Sequence, residues 1–133
     1  MDNEFERSMV EVDGVAPPAA YFSHGIVTSG RLLFVAGQTA VDENGDLVGV
    51  GDAAAQARQV LTNLQRVIES AGGRMEDVAR TTVYLTRLED RGPVGGVRRQ
   101  FFPAPPPTNT LLVVSSLAQP EFLVEIDAIV ALR

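Results

Sequence analysis

The chain has 133 residues, 45% hydrophobic and 21% charged, and 11 basic against 17 acidic side chains give a net charge of −6. That size and mix fit one domain, residues 1–133, with a buried core. The acidic balance argues against a nucleic-acid partner, whose phosphates bind cationic surface, and the absence of cysteine excludes disulfides, thiolate nucleophiles and cysteine-ligated metals.

No apolar run approaches the ~20 residues that a membrane-spanning helix needs, so no membrane partner is expected. The start, Met1-Asp2-Asn3-Glu4-Phe5-Glu6, is acidic and lacks the basic-then-apolar pattern of a signal peptide. A cytoplasmic location is the expectation.

In chain order, residues 8–12 read as a short strand ended by Asp13-Gly14, and Pro17-Pro18 forces an extended connection. Tyr21 to Val27 carries an aromatic pair and then Ser23, His24 and Gly25, with Ser29-Gly30 as a hairpin turn. Leu32 to Ala36 is a continuous apolar run that reads as a buried strand. Asp42 to Asp46 is a turn.

The stretch Gly51–Gly73 organises the rest. Ala57, Val60, Leu61, Leu64, Val67, Ile68 and Ala71 repeat at i, i+3, i+4, i+7, the rhythm of one helical stripe. Gln56, Arg58, Gln59 and Asn63 fall on the other face. Asp52 can cap the first turn by accepting from its free N–H groups, and Gly72-Gly73 can supply the left-handed residue that stops the helix.

Asp77 to Thr86 gives the next strand, with Arg80, Thr82 and Tyr84 on a polar face. A second helix is expected over about Pro93–Phe102, weakened by Gly95 and Gly96 at roughly 1 kcal/mol each. The adjacent Arg98 and Arg99 read as solvated helix-surface charges. Pro103 to Pro107 is a stiff lead-in to a strand over Thr110–Ser116. Phe122 to Leu132 is the last strand, its even positions wholly apolar and its odd positions mixing Glu125 and Asp127 with Leu123 and Ile129.

The order β-β-β-α-β-α-β-β predicts an α+β fold, a single six-stranded mixed sheet with two helices on one face. The even face of the last strand is the helix side. The odd face is neither free surface nor core, and suits a subunit interface containing a polar pocket.

Glu125 is the leading candidate for chemistry. A carboxylate among apolar strand residues is poorly solvated, which raises its pKa towards a range useful for acid–base work. The bland alternatives are an inter-subunit ion pair or an exposed sheet position. His24, the only histidine, cannot by itself build a zinc site, and next to Ser23 on a strand it points to the opposite face. It reads as a site-lining or surface residue.

Taken together, the segments YFSHGI, LLFVAGQTAVDENGDLVG, QARQVLTNLQRVIESAGG, DVARTTVYLTRLED, Phe101-Phe102 and FLVEIDAIV resemble the Rid family (reactive intermediate deaminases, also called YjgF). The resemblance implies a chorismate-mutase-like fold assembled as a homotrimeric barrel, with small-molecule sites between subunits and no cofactor. It implies hydrolysis of an imine or enamine to a ketone and ammonia. On this resemblance Glu125 matches the glutamate that positions or activates water, and Gly37, in Ala36-Gly37-Gln38, supplies a backbone donor. Phe22 takes the tyrosine position, His24 the glutamine position and Asn109 the position of the carboxylate-clamping arginine. A neutral amide cannot replace a charged fork. The substrate expected is therefore a non-standard small imine, enamine or related carbonyl compound; the alternative is a non-catalytic trimer that binds a metabolite or partner. Arg98 or Arg99 could restore the missing charge from another direction.

Overall fold

A computed structural model describes residues 4–133; of the acidic start, Met1–Asn3 lie outside the described residues. The strands are β1 (Arg7–Met9), β2 (Ile26–Thr28), β3 (Arg31–Gln38), β4 (Val78–Leu85), β5 (Thr108–Val113) and β6 (Val124–Leu132). The helices are α1 (Ala53–Ser70) and α2 (Arg91–Phe101). Four strands form one sheet in the order β3-β6-β4-β5, antiparallel except for the parallel pair β4-β5, which α2 connects. Helix α1 packs against β6, β3 and α2, so the core lies between the helices and one face of this sheet.

Helix α1 forms for the reasons its sequence gives. Asp52 Oδ1 accepts from Ala55 N at 3.0 Å, and Gly72, at φ +80°, ends the helix. Ala57, Val60, Leu61, Leu64 and Ile68 are fully buried. Each of the larger ones contributes about 1.5–3 kcal/mol by leaving water. Gln56 departs from its expected polar face: it is fully buried. Its Nε2 donates to Gly49 O (3.1 Å) and Glu121 O (2.9 Å), and its Oε1 accepts from Leu123 N (2.8 Å). It ties the loop before α1 to the segment that leads into β6.

The expectation of one six-stranded sheet is corrected in detail, because β1 and β2 pair only with each other. Ser29-Gly30 is not a hairpin turn between paired strands. Ser29 N and Thr28 Oγ1 both donate to Glu6 O, which keeps β2 on β1. Gly30, at φ +104° and where a Cβ would collide with the Leu132 carbonyl, then redirects the chain into the other sheet.

A second correction concerns β3. Leu33 and Val35 face the core, but Leu32 and Phe34 are 56% and 70% exposed. The run is apolar on both faces although the helices cover only one. In β6 the parity holds: Val124, Ile126, Ala128 and Val130 are buried, whereas Glu125, Asp127 and Ile129 lie part-exposed on the opposite face. The proline segment leads into β5 as expected, fixed by Ser23 Oγ donating to Pro106 O (2.5 Å) and Arg7 Nη1 to Pro105 O (3.0 Å).

Candidate functional site

The open face of the sheet carries the first group of candidates. Val35 pairs with Ala128 but Gln38 pairs with Ile126, so β3 advances one residue further than β6 and bulges at Ala36-Gly37. The bulge seats Gly37 beneath Glu125. A Cβ on Gly37 would collide with Glu125 Oε2 and lie 2.8 Å from its Cδ, so only glycine leaves the carboxylate its place.

Glu125 sits directly across from Tyr84 of β4, and Asp127 across from Thr82. Tyr84 OH donates to Asp127 Oδ2 at 3.0 Å. This bond, chiefly, pushes the phenol pKa up. Burial, reinforced by the nearby Asp127 charge, raises the Glu125 carboxyl above its ordinary value. The depression beside it has a volume of about 340 Å³ and is lined by Phe34, Gly37, Arg80, Tyr84 and Asp127 among others. The apolar side chains flanking these carboxylates are those left exposed by the helix layer.

The second group lies on the opposite side of the sheet. Asn109 in β5 is level with Thr81 in β4, and Thr81 is fully buried towards the helices. Thr81 Oγ1 donates to Asn109 Oδ1 (2.7 Å) and accepts from Arg98 Nη2 (3.0 Å). Because its oxygen is engaged, the Asn109 amide offers N–H donors to its surroundings. It borders a cleft of about 890 Å³ between α2, β5 and residues 19–22, with Tyr21, Phe22, Asn109 and Leu111 in its wall.

Gly37 and Glu125 are thus brought together, as are Phe22 and Asn109. A single chain does not bring these two pairs to one place: they occupy opposite faces of the sheet. His24 joins neither. It is exposed, its Nε2 lies 2.7 Å from Ala16 O, and its ring meets Phe22 edge-on at 5.7 Å. Ser23 is buried and bonded to Pro106, so Ser23 and His24 form no pair.

One residue departs from the sequence expectation, and one was not singled out there. Arg98 is not a solvated surface charge; it is 4% exposed, with Nη1 donating to Tyr21 O and the guanidinium 5.3 Å from the Phe102 ring centre. The signal was present, since Val94, Val97, Arg98 and Phe101 share one i, i+3, i+4, i+7 stripe. Thr81 links Arg98 to Asn109, and its place among the inward residues of β4 was visible in the alternation with Thr82 and Tyr84. Among the described residues, no three His, Asp or Glu side chains converge as metal ligands would. Nor is any helix long and apolar enough to cross a membrane.

Two helices over a mixed sheet, with a glycine bulge under a strand glutamate, define an α+β protein of the YjgF type. A model of the endoribonuclease L-PSP family matches residues 13–132, and the chain belongs to this family, the Rid/YjgF family. Its fold is similar to that of YyfB from Yersinia pestis, described as a Rid-family protein of unknown function. The two are 34% identical over 95% of this chain and 98% of that one, with a TM-score of 0.83. Rv2704 from Mycobacterium tuberculosis, described as a YjgF/YER057c/UK114 family member, is 31% identical over 96% and 100% of the two chains, TM-score 0.68. RidA from an Antarctic Psychrobacter is 28% identical over 94% and 99%, TM-score 0.72.

Proposed function

We propose that the protein is a Rid-type hydrolase that converts a small imine or enamine, or a related carbonyl compound, to a carbonyl product, with release of ammonia from the imine. Family membership supports a deaminase- or endoribonuclease-like role in general. The observation that carries the narrower reading is the Glu125 carboxylate, seated over Gly37 and raised in pKa by burial. Glu125 takes a proton from water as the oxygen attacks the imine carbon. With the imine protonated at nitrogen, Glu125 delivers that proton to the carbinolamine nitrogen. It takes up the hydroxyl proton as the C–N bond breaks and the C=O forms, and passes it to the departing ammonia, which leaves as ammonium. The Gly37 backbone N–H supplies a fixed donor beside it.

The chain contains neither cysteine nor lysine, so neither a thiolate nor a lysine Schiff base is available as covalent nucleophile. Direct activation of water by Glu125 fits this inventory. Substrate reaches both residue pairs when Glu125 and Gly37 of one copy face Phe22 and Asn109 of another, in a homotrimer. The exposed Leu32 and Phe34 support burial of that face by a second copy.

The test is ammonia and ketone release from freshly generated imines, with and without a 2-carboxylate, for the wild type and Glu125→Gln. A loss of about 10²–10⁴-fold in the variant is expected. Undiminished turnover in a folded variant refutes the role. A second reading, a non-catalytic trimer that binds a metabolite, is favoured by Asn109 in the arginine position; it predicts saturable binding without product. RNA cleavage is disfavoured by the charge of −6.

A further inference from the structure

Arg98 is a buried cation without an anion. Among the described residues it takes part in no ion pair, and its Nε, also buried, has no hydrogen-bond partner. Its partners are the Tyr21 carbonyl, the Thr81 hydroxyl and the Phe102 ring, all neutral. Burial lowers its pKa to about 10, which leaves it charged at neutral pH. An isolated buried charge is costly unless something of opposite sign meets it.

The cleft that Arg98 lines is electropositive within an acidic chain. Arg91 and Arg99 also border it, and among the described residues no Asp or Glu does. Asn109 also lines it, and with its Oδ1 engaged by Thr81 the amide Nδ2 is its donor group.

The helix that carries Arg98 also presents a bare face to the cleft, for no packing reason. Gly92, Gly95 and Gly96 line the cleft, and a Cβ at any of them would meet nothing within 4 Å. Three glycines weaken α2 relative to alanine. No neighbouring atom among the described residues requires them, and their lack of side chains leaves this side of the cleft open.

We propose that this cleft binds an organic carboxylate carrying a bulky apolar group, with the carboxylate against the Arg98 guanidinium and the Asn109 amide and the apolar group along the glycine face of α2. Arg98 thereby supplies, from α2, the charge that Asn109 cannot. This inference rests on the proposed hydrolase reading for the position of the reacting carbon, which faces Glu125 of a second copy. Carboxylate binding is measurable without turnover.

Calorimetric titration of the assembled protein with pyruvate, phenylpyruvate and phenylpyruvamide provides the test, for the wild type, Arg98→Met and Gly96→Leu. Phenylpyruvate should bind about tenfold or more tightly than pyruvate or the amide. Arg98→Met should weaken phenylpyruvate by about thirtyfold or more and leave the amide unchanged. Gly96→Leu, which fills the cleft without touching the charge, should remove the preference for the phenyl group and keep pyruvate binding. The proposal is overturned if the amide binds as well as the acid, or if Arg98→Met with a native melting curve binds the acid undiminished. It is also overturned if no carboxylate binds and Arg98→Met dissociates the assembly, which assigns the guanidinium to a subunit contact. Binding of phenylpyruvate without hydrolysis of any imine sinks the hydrolase reading and leaves this one standing. Hydrolysis of carboxylate-free imines alone does the reverse.

Discussion

The Glu125 carboxylate occupies the volume that a side chain at Gly37 would need. Gly37→Ala should therefore displace the carboxylate by a fraction of its length and leave the sheet paired. Turnover should fall by about 10²-fold, the cost of misplacing a catalytic group by roughly 1 Å. Steady-state kinetics on an imine substrate, with circular dichroism to confirm the fold, checks this. Full activity in Gly37→Ala would show that the contact does not set the position of Glu125.

The raised pKa of Glu125 makes a stability prediction with a definite sign. Between its ordinary value of 4.5 and its raised folded value, the native state holds a proton that the unfolded chain has lost. Stability contributed by this group is present at low pH and lost as pH rises through the folded pKa. Glu125→Gln should thus melt at the same temperature or higher than wild type at pH 7, with the gap closing towards pH 4. Calorimetry across that range measures it; a variant less stable at pH 7 than at pH 4, relative to wild type, contradicts the burial argument.

Asp127 contributes the second cause of that shift. Asp127→Asn removes a negative charge from the same strand face and should move the acidic limb of the pH–rate profile to lower pH. The Tyr84 hydroxyl loses its charged acceptor in the same variant, so its phenol should titrate at lower pH, which ultraviolet difference spectra report. An unmoved acidic limb would separate Asp127 from Glu125.

The buried Gln56 holds three backbone groups. Gln56→Leu keeps the volume and leaves all three without a partner, at a cost of about 3 kcal/mol. The melting temperature should drop by about 10 °C. A drop of only a degree or two would mean that water or a shifted loop satisfies those groups.

How far the sequence carried depends on whether a residue's fate is local. The α1 stripe, apart from the exposed Val67 and Ala71, and the two faces of β6 follow from periodicity and were legible. Gln56 falls next to that stripe, but its burial depends on the Gly49 and Glu121 carbonyls reaching it from distant loops. Arg98 lies within the apolar period of α2, and charge alone argued against burial; the neutral partners that tolerate it come from Tyr21 and Thr81. The separation of β1-β2 from the main sheet was not legible, since pairing partners are chosen by contacts far apart in sequence. Asn109 was matched to a motif position, and the backbone register decides that its side chain sits with Thr81, across the sheet from Glu125.

That separation makes the central claim directly measurable. Glu125→Gln and Asn109→Asp chains, each expected to be inactive alone, are unfolded, mixed in equal amounts and refolded together. If the site is completed between copies of a cyclic trimer, about a quarter of the sites regain both intact halves, and about a quarter of the wild-type rate returns. A mixture as inactive as its components, with mixed trimers demonstrated by mass spectrometry, would contradict a site shared between Glu125 of one copy and Asn109 of the next.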